Sequence, residues 1–395
     1  MAPIQLLTRR TVPYCARVVR QDRQSTRRAA SAACETIALD IARADMHYLV
    51  TSIVDLPSSD AAAEVALVQY GAMAAYEAQL HFDKTLGVRL SAKWEYETAK
   101  ASRMSGKFFA DTARNLDGVV AHFADLLAAN RGAFFPLDRR GRILDFLRDD
   151  LAVVILDGQP YTSLVSAHYL SGLTPEQVGN FAAVSAGMLE FSTRIGNVAG
   201  ALLHESGIGS HRHGPIPSFE WFDGKSTVAL PCLFGGELDP PLAAALLTVQ
   251  SMLMSAVRST YRVQCRWCEV AARKHRFVAL YQALTALDIL RRDGVQPSRS
   301  TEAMDLLDDP EFLWVLRQSK LRNGMVHLGL QDISSSVRPG HTANDVIRIY
   351  SGEEPDAFDN RVTAQLGQLV DVLTRWMLSP TDDGRSFLAA LHPAP

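Results

Sequence analysis

Leu242–Asp293 reads LAAALLTVQSMLMSAVRSTYRVQCRWCEVAARKHRFVALYQALTALDILRRD, with no glycine or proline before Gly294. Apolar residues recur in it at three- and four-residue spacing, the period of a helix with a buried face. The stretch must be one long helix or two with a tight junction. Asp239-Pro240-Pro241 introduces it, and proline fits a first helical turn.

The same period extends to both sides. It predicts helices from Ala29 to about Leu56, over 61–86 and over about 89–130. Thr174-Pro175-Glu176-Gln177 is a capping box with proline in the first turn, opening a helix expected to run to about Glu205. Asp309-Pro310 opens another through about Leu328, and a last helix spans about Ala357–Leu378. Only 226–234 and 346–350 look strand-like. The expected fold is all-α, in two helical domains. Glycines and prolines cluster from Ser206 to Pro241 and mark the expected boundary. The divisions are a basic flexible arm at 1–28, an N-terminal helical domain at 29–205, a connecting segment at 206–240, a helical bundle at 241–380 and a flexible tail at 381–395.

The chain has 395 residues, 47 % hydrophobic and 21 % charged, a globular composition that excludes disordered and fibrous classes. A net charge of −3 advertises no global affinity for nucleic acid, although 33 arginines accompany only seven lysines. The five cysteines are too scattered for a disulfide-built fold. The densest apolar stretch, Leu242–Met254, is broken by Thr248, Gln250 and Ser251, so no membrane partner is expected. Arg9, Arg10, Arg17, Arg20, Arg23, Arg27 and Arg28 face one acid, Asp22, with no apolar signal-type core behind them. The expected location is cytoplasmic.

Common catalytic signatures are missing. The chain has no phosphate loop of the Walker type, no Gly-x-Ser-x-Gly and no His-Glu-x-x-His. Gly207-Ile-Gly209 lacks the third glycine of a dinucleotide loop. Cys265-Arg-Trp-Cys268 has redox or half-zinc spacing, but only His275 follows nearby, and two thiols on one helical face suit packing. His204, Glu205, His211 and His213 could hold a divalent metal, yet their spacing matches no defined motif. No metal or cofactor is expected.

The sharpest feature is Leu321-Arg322-Asn323-Gly324-Met325-Val326-His327-Leu328-Gly329. An arginine, a polar residue and a histidine five positions after the arginine lie near the end of a helical stretch. This pattern resembles the signature of the HEPN superfamily, and the resemblance covers roughly 240–380. It implies a helical bundle and an RNA-cleaving activity independent of metal. It also implies that arginine and histidine of two protomers meet in a cleft, so a homodimer is expected. An acidic residue of the preceding helix often completes such a site, with Glu269 and Asp288 as candidates. Gly329 stands where a nucleotidylated toxin subgroup has tyrosine, so that form of control is not expected.

The residue types suit the chemistry. Attack by an RNA 2′-hydroxyl needs a base, and imidazole is best poised near neutral pH. Arg322 suits the charge on the transition state, and Asn323, four positions from His327, could orient the imidazole. Arg322 lies about 140° around the helix from His327 and must reach round, or Gly324 must loosen the turn. Mid-helix glycine costs about 1 kcal/mol against alanine, so Gly324 points to close packing or a bend. Between Pro241 and Ser300 nine basic residues face three acids. Arg258, Arg262, Arg266 and Arg273 are the candidate nucleic-acid contacts, the first three forming a stripe. The functional expectation is an endoribonuclease, by analogy in bacterial defence or stress response. Its N-terminal domain would take a regulatory ligand or protein. The alternative is a non-catalytic helical module that binds nucleic acid or protein.

Overall fold

The computed structural model describes residues 12–54, 61–86, 102–105, 116–134, 149–180, 192–193, 195–203, 219–259, 266–295 and 297–393. The fold is mainly helical. The N-terminal half carries α1 (Val12–Val54), α2 (Ala61–Leu86), α3 (Leu116–Phe134), α4 (Leu164–Leu170) and α5 (Pro175–Val178). Then come α6 (Ser226–Ala229), α7 (Pro240–Ser259), α8 (Arg266–Arg292), α9 (Thr301–Asp305), α10 (Pro310–Arg317), α11 (Ser319–His327), α12 (Ala343–Ser351) and α13 (Pro355–Met377). Strands β1 (Leu151–Leu156), β2 (Gln159–Ser163), β3 (Phe219–Gly224) and β4 (Leu391–Pro393) form one antiparallel sheet in the order β2-β1-β3-β4.

Leu242–Asp293 thus supplies two helices, and the core is built round the first. Helix α7 packs against α8, α3, α4, α13 and β2. Pro240–Val257 is long and apolar enough to cross a membrane, with mean hydropathy 1.4, but 83 % of it is buried inside the protein. The polar residues that interrupt it each find a hydrogen bond there, although Gln250 Oε1 has none among the described residues. Thr248 Oγ1 donates to Ala244 O at 2.8 Å, Ser251 Oγ to Leu247 O at 3.0 Å, and Gln250 Nε2 to Thr374 Oγ1 at 2.9 Å.

Helix α1 lies along α8 and α2, with a buried polar network at the junction. Lys274 Nζ donates to Asp45 Oδ2, and Tyr70 Oη donates to Asp45 Oδ1 at 2.8 Å. Tyr48 Oη and Ser255 Oγ meet the two ring nitrogens of His275 at 3.0 and 3.2 Å. Burial holds His275 far below its ordinary value, to about 3, helped by the charges of Arg276 and Lys274.

Several expectations need correction. The buried residues form one connected core from Ala33 to Leu391, so 206–240 does not separate two cores. The expected arm at 1–28 is helical from Val12. The expected tail at 381–395 holds β4 and the buried Phe387. Neither strand-like stretch is a strand. Ser226 starts a helical turn because the buried Asp150 carboxylate accepts from its N–H at 2.7 Å and its hydroxyl at 2.6 Å. Val346–Tyr350 lies in α12, where Asp345 accepts from Thr342 N–H at 2.8 Å and Gly352 ends the helix at φ +75°. The β structure lies elsewhere: β1 and β2 are a hairpin closed by Asp157-Gly158, both at positive φ. The Thr174 capping box forms as expected, but its helix stops at Val178. Residues 195–203 are helical again. The helix expected from Pro310 to Leu328 is two, broken at Gln318.

Candidate active site

Arg322, Asn323 and His327 lie on α11, a nine-residue helix packed against α2, α8 and α12. Leu321, Met325 and Val326 are buried and fix which face points inward. Gly324 is buried as well. A Cβ there would stand 3.1 Å from Tyr350 Cε2 and 3.2 Å from Leu330 Cδ2, so close packing is its role. The helix ends at Leu328, a buried non-glycine residue held at φ +55° directly after the histidine. Such a conformation stores about 1 kcal/mol or more.

Arg322 does reach round, its Nη1 standing 3.4 Å from Nε2 of His327 and donating to Asn323 Oδ1 at 3.0 Å. Asn323 therefore serves the arginine, and the imidazole takes its orientation from another element. His327 Nδ1 lies 2.9 Å from Oε2 of Glu77, a residue of α2. Tyr70 and Glu77 are seven residues apart on α2, hence on one face. Tyr70 enters the Asp45 network, and two turns further on Glu77 meets α11. Arg103 completes the group, with Nε on Glu77 Oε1 at 2.5 Å and Nη2 3.4 Å from His327 Nδ1. The Glu77 side chain is 6 % exposed and that of His327 33 %, so the carboxylate is inside and the imidazole meets solvent.

Burial pushes the Glu77 carboxyl up, but the His327 hydrogen bond and the Arg103 charge outweigh it and hold it below the usual carboxylate value. An ionised carboxylate at Nδ1 requires a proton on that nitrogen, and in the neutral imidazole that leaves Nε2 bare beside Arg322. Burial lowers the Arg322 guanidinium from its ordinary value, and Tyr281 and Glu77 offset part of that while Arg103 adds to it. Among the described residues no carboxylate makes an ion pair with Arg322, and its buried Nε has no hydrogen-bond partner. The arrangement thus sets a solvent-reaching imidazole beside a guanidinium that no described carboxylate pairs.

The acids expected from the preceding helix do not reach this site. Asp288 pairs with Arg291 and Arg292, and Glu269 is exposed near the start of α8. Among the described residues, most of the basic side chains of 241–300 pair with carboxylates from elsewhere in the chain. Arg273, 9 % exposed, pairs with Asp356 at 2.6 Å and lies 3.5 Å from Asp359, so it is an internal ion-pair residue and not a free phosphate contact. Lys274 pairs with Asp45, Arg276 with Asp359, Arg291 with Asp308 and Arg299 with Asp382. Arg258 and Arg266 lie on α7 and α8, and the side chains of neither are described. Arg262, Cys265, His204, Glu205, His211 and His213 lie outside the described residues. Cys268 is buried in the core. Sequence reasoning missed Glu77 and Arg103. Glu77, seven residues after Tyr70 in an alanine-rich helix, carried a faint signal, and Arg103 carried none.

No protein-family model, curated protein or solved structure matches this chain.

Proposed function

We propose that the chain is a metal-independent endoribonuclease of HEPN type, with His327 and Arg322 as its catalytic residues. One observation carries the reading. A solvent-reaching imidazole is fixed at Nδ1 by a buried carboxylate, and its other nitrogen faces a guanidinium with no carboxylate partner among the described residues. Nε2 of His327 takes the proton of an RNA 2′-hydroxyl as that oxygen bonds to phosphorus. The bond from phosphorus to the 5′-oxygen breaks, and the imidazolium returns the proton to the leaving oxygen. The products are a 2′,3′-cyclic phosphate and a 5′-hydroxyl. Arg322 meets the charge gathering on the phosphoryl oxygens. Asn323 steadies Arg322 and Glu77 steadies the imidazole.

The test is cleavage of mixed total RNA in EDTA by the full chain beside His327→Ala and Arg322→Ala of matched fold. The expected losses are about 10²-fold or more for each. Equal cleavage by all three would sink the reading. So would RNA binding without cleavage, which would leave a binding module.

A further inference from the structure

We infer that Arg103 is the positioning residue that sets the Glu77–His327 pair, so that one chain holds the whole site. The inference takes its reaction from the endoribonuclease reading, but its geometric part stands apart from that reading. Glu77 divides its two oxygens between two partners. Arg103 Nε donates to Oε1 at 2.5 Å and Arg103 Nη2 pairs with the same oxygen. Oε2 is left to His327 Nδ1 at 2.9 Å. A carboxylate free to turn presents either oxygen, whereas one pinned at Oε1 presents the other in a fixed direction. The guanidinium also helps keep Glu77 ionised against burial, and only the ionised form requires the proton on Nδ1.

Arg103 is itself built in. Its side chain is 14 % exposed and lies over the Tyr76 ring, 5.8 Å from the centroid. The short helical segment that carries it is tied down by Ser102 Oγ donating to Leu170 O and Ser105 Oγ donating to Ser102 O, both at 2.6 Å. Two guanidinium groups therefore stand 3.4 Å from the two ring nitrogens, one from each half of the same chain. The resemblance implies that a second protomer supplies such groups. Here Glu77 and Arg103 come from one half, and Arg322 and His327 from the other. Arg103 touches no substrate and acts through the carboxylate.

The experiment uses the full chain with ¹⁵N-labelled histidine at about pH 8, where imidazole is ordinarily neutral, and His327→Ala assigns the signal. The wild type is expected to show His327 protonated at Nδ1 and bare at Nε2. Arg103→Gln is expected to exchange between tautomers, and Arg103→Lys to restore the single one in part. With mixed-sequence RNA, Arg103→Gln is expected to lose about tenfold or more in kcat with KM unchanged. An equimolar mixture of Arg103→Gln and His327→Ala is expected to show no recovery. An unchanged His327 spectrum in Arg103→Gln overturns the assignment whether or not RNA is cleaved, and recovery in the mixture overturns the single-chain site. A wild type that leaves RNA intact, with the spectra responding as expected, overturns only the ribonuclease reading.

Discussion

Glu77 shows how much one buried side chain decides. Its carboxylate joins residues on both sides of the chain's midpoint, and removing it takes from Arg103 its one counterion among the described residues. Breaking a buried pair from one side costs about 3–5 kcal/mol, so Glu77→Ala should destabilise the protein by about that much in urea unfolding. The pH dependence has a definite sign. The folded value lies below the ordinary 4.5, so the contribution is complete above pH 4.5 and fades as pH falls through the folded value. The gap in stability between wild type and Glu77→Gln should narrow below that point. A gap of constant width would show that the carboxylate charge contributes nothing. Arg322 and His327 were legible in the sequence because they share one short segment. Arg103 contacts the histidine across 224 residues of chain, a separation over which no local pattern carries information.

At the scale of the element, α11 is aimed by packing more than by propensity. Gly324→Ala gains about 1 kcal/mol of helix propensity but forces a Cβ against Tyr350 and Leu330. Overpacking costs about 1–3 kcal/mol, and the Tyr350 ring cannot step aside freely because its hydroxyl donates to Asp332. The expected result is a net loss of about 1 kcal/mol, read as a lower Tm, with a larger loss of activity than stability. A higher Tm would show that the site has room. Other elements show where local reading fails. Val346-Ile347-Arg348-Ile349-Tyr350 has β-type residues, yet the Thr342–Asp345 capping box fixes it as helix. That signal was legible, as Thr174–Gln177 was. So was Asp157-Gly158 between two β-rich runs. Ser226 differs, because the cap that starts its helix comes from Asp150, 76 residues away.

For the whole molecule, the decisive fact is a single core with polar groups sealed inside it. His275 is held to about 3, and burial lowers His168 to about 4. His275 is buried and His168 partly so, both as neutral groups, so between pH 6.5 and 4 the unfolded chain binds more protons than the folded one. Stability should fall as pH drops through that window, by about 1.4 kcal/mol per pH unit for each histidine. Urea unfolding at pH 7 and pH 5 measures the fall, and His168→Gln should make it shallower. An equal fall in wild type and variant would remove His168 from the account.

The sequence by itself determined that the chain is mainly helical, since helical periodicity, proline starts and capping boxes are local. It also determined that Arg322 and His327 share one helix. Only the tertiary structure decided that the two halves share a core, that Arg273, Arg276, Arg291 and Arg292 of α8 are paired with carboxylates, and that the acid beside His327 is Glu77. Those three outcomes rest on burial. A charge taken from water must find a partner wherever the fold can provide one, and here Asp45, Asp356, Asp359 and Glu77 arrive from far along the chain.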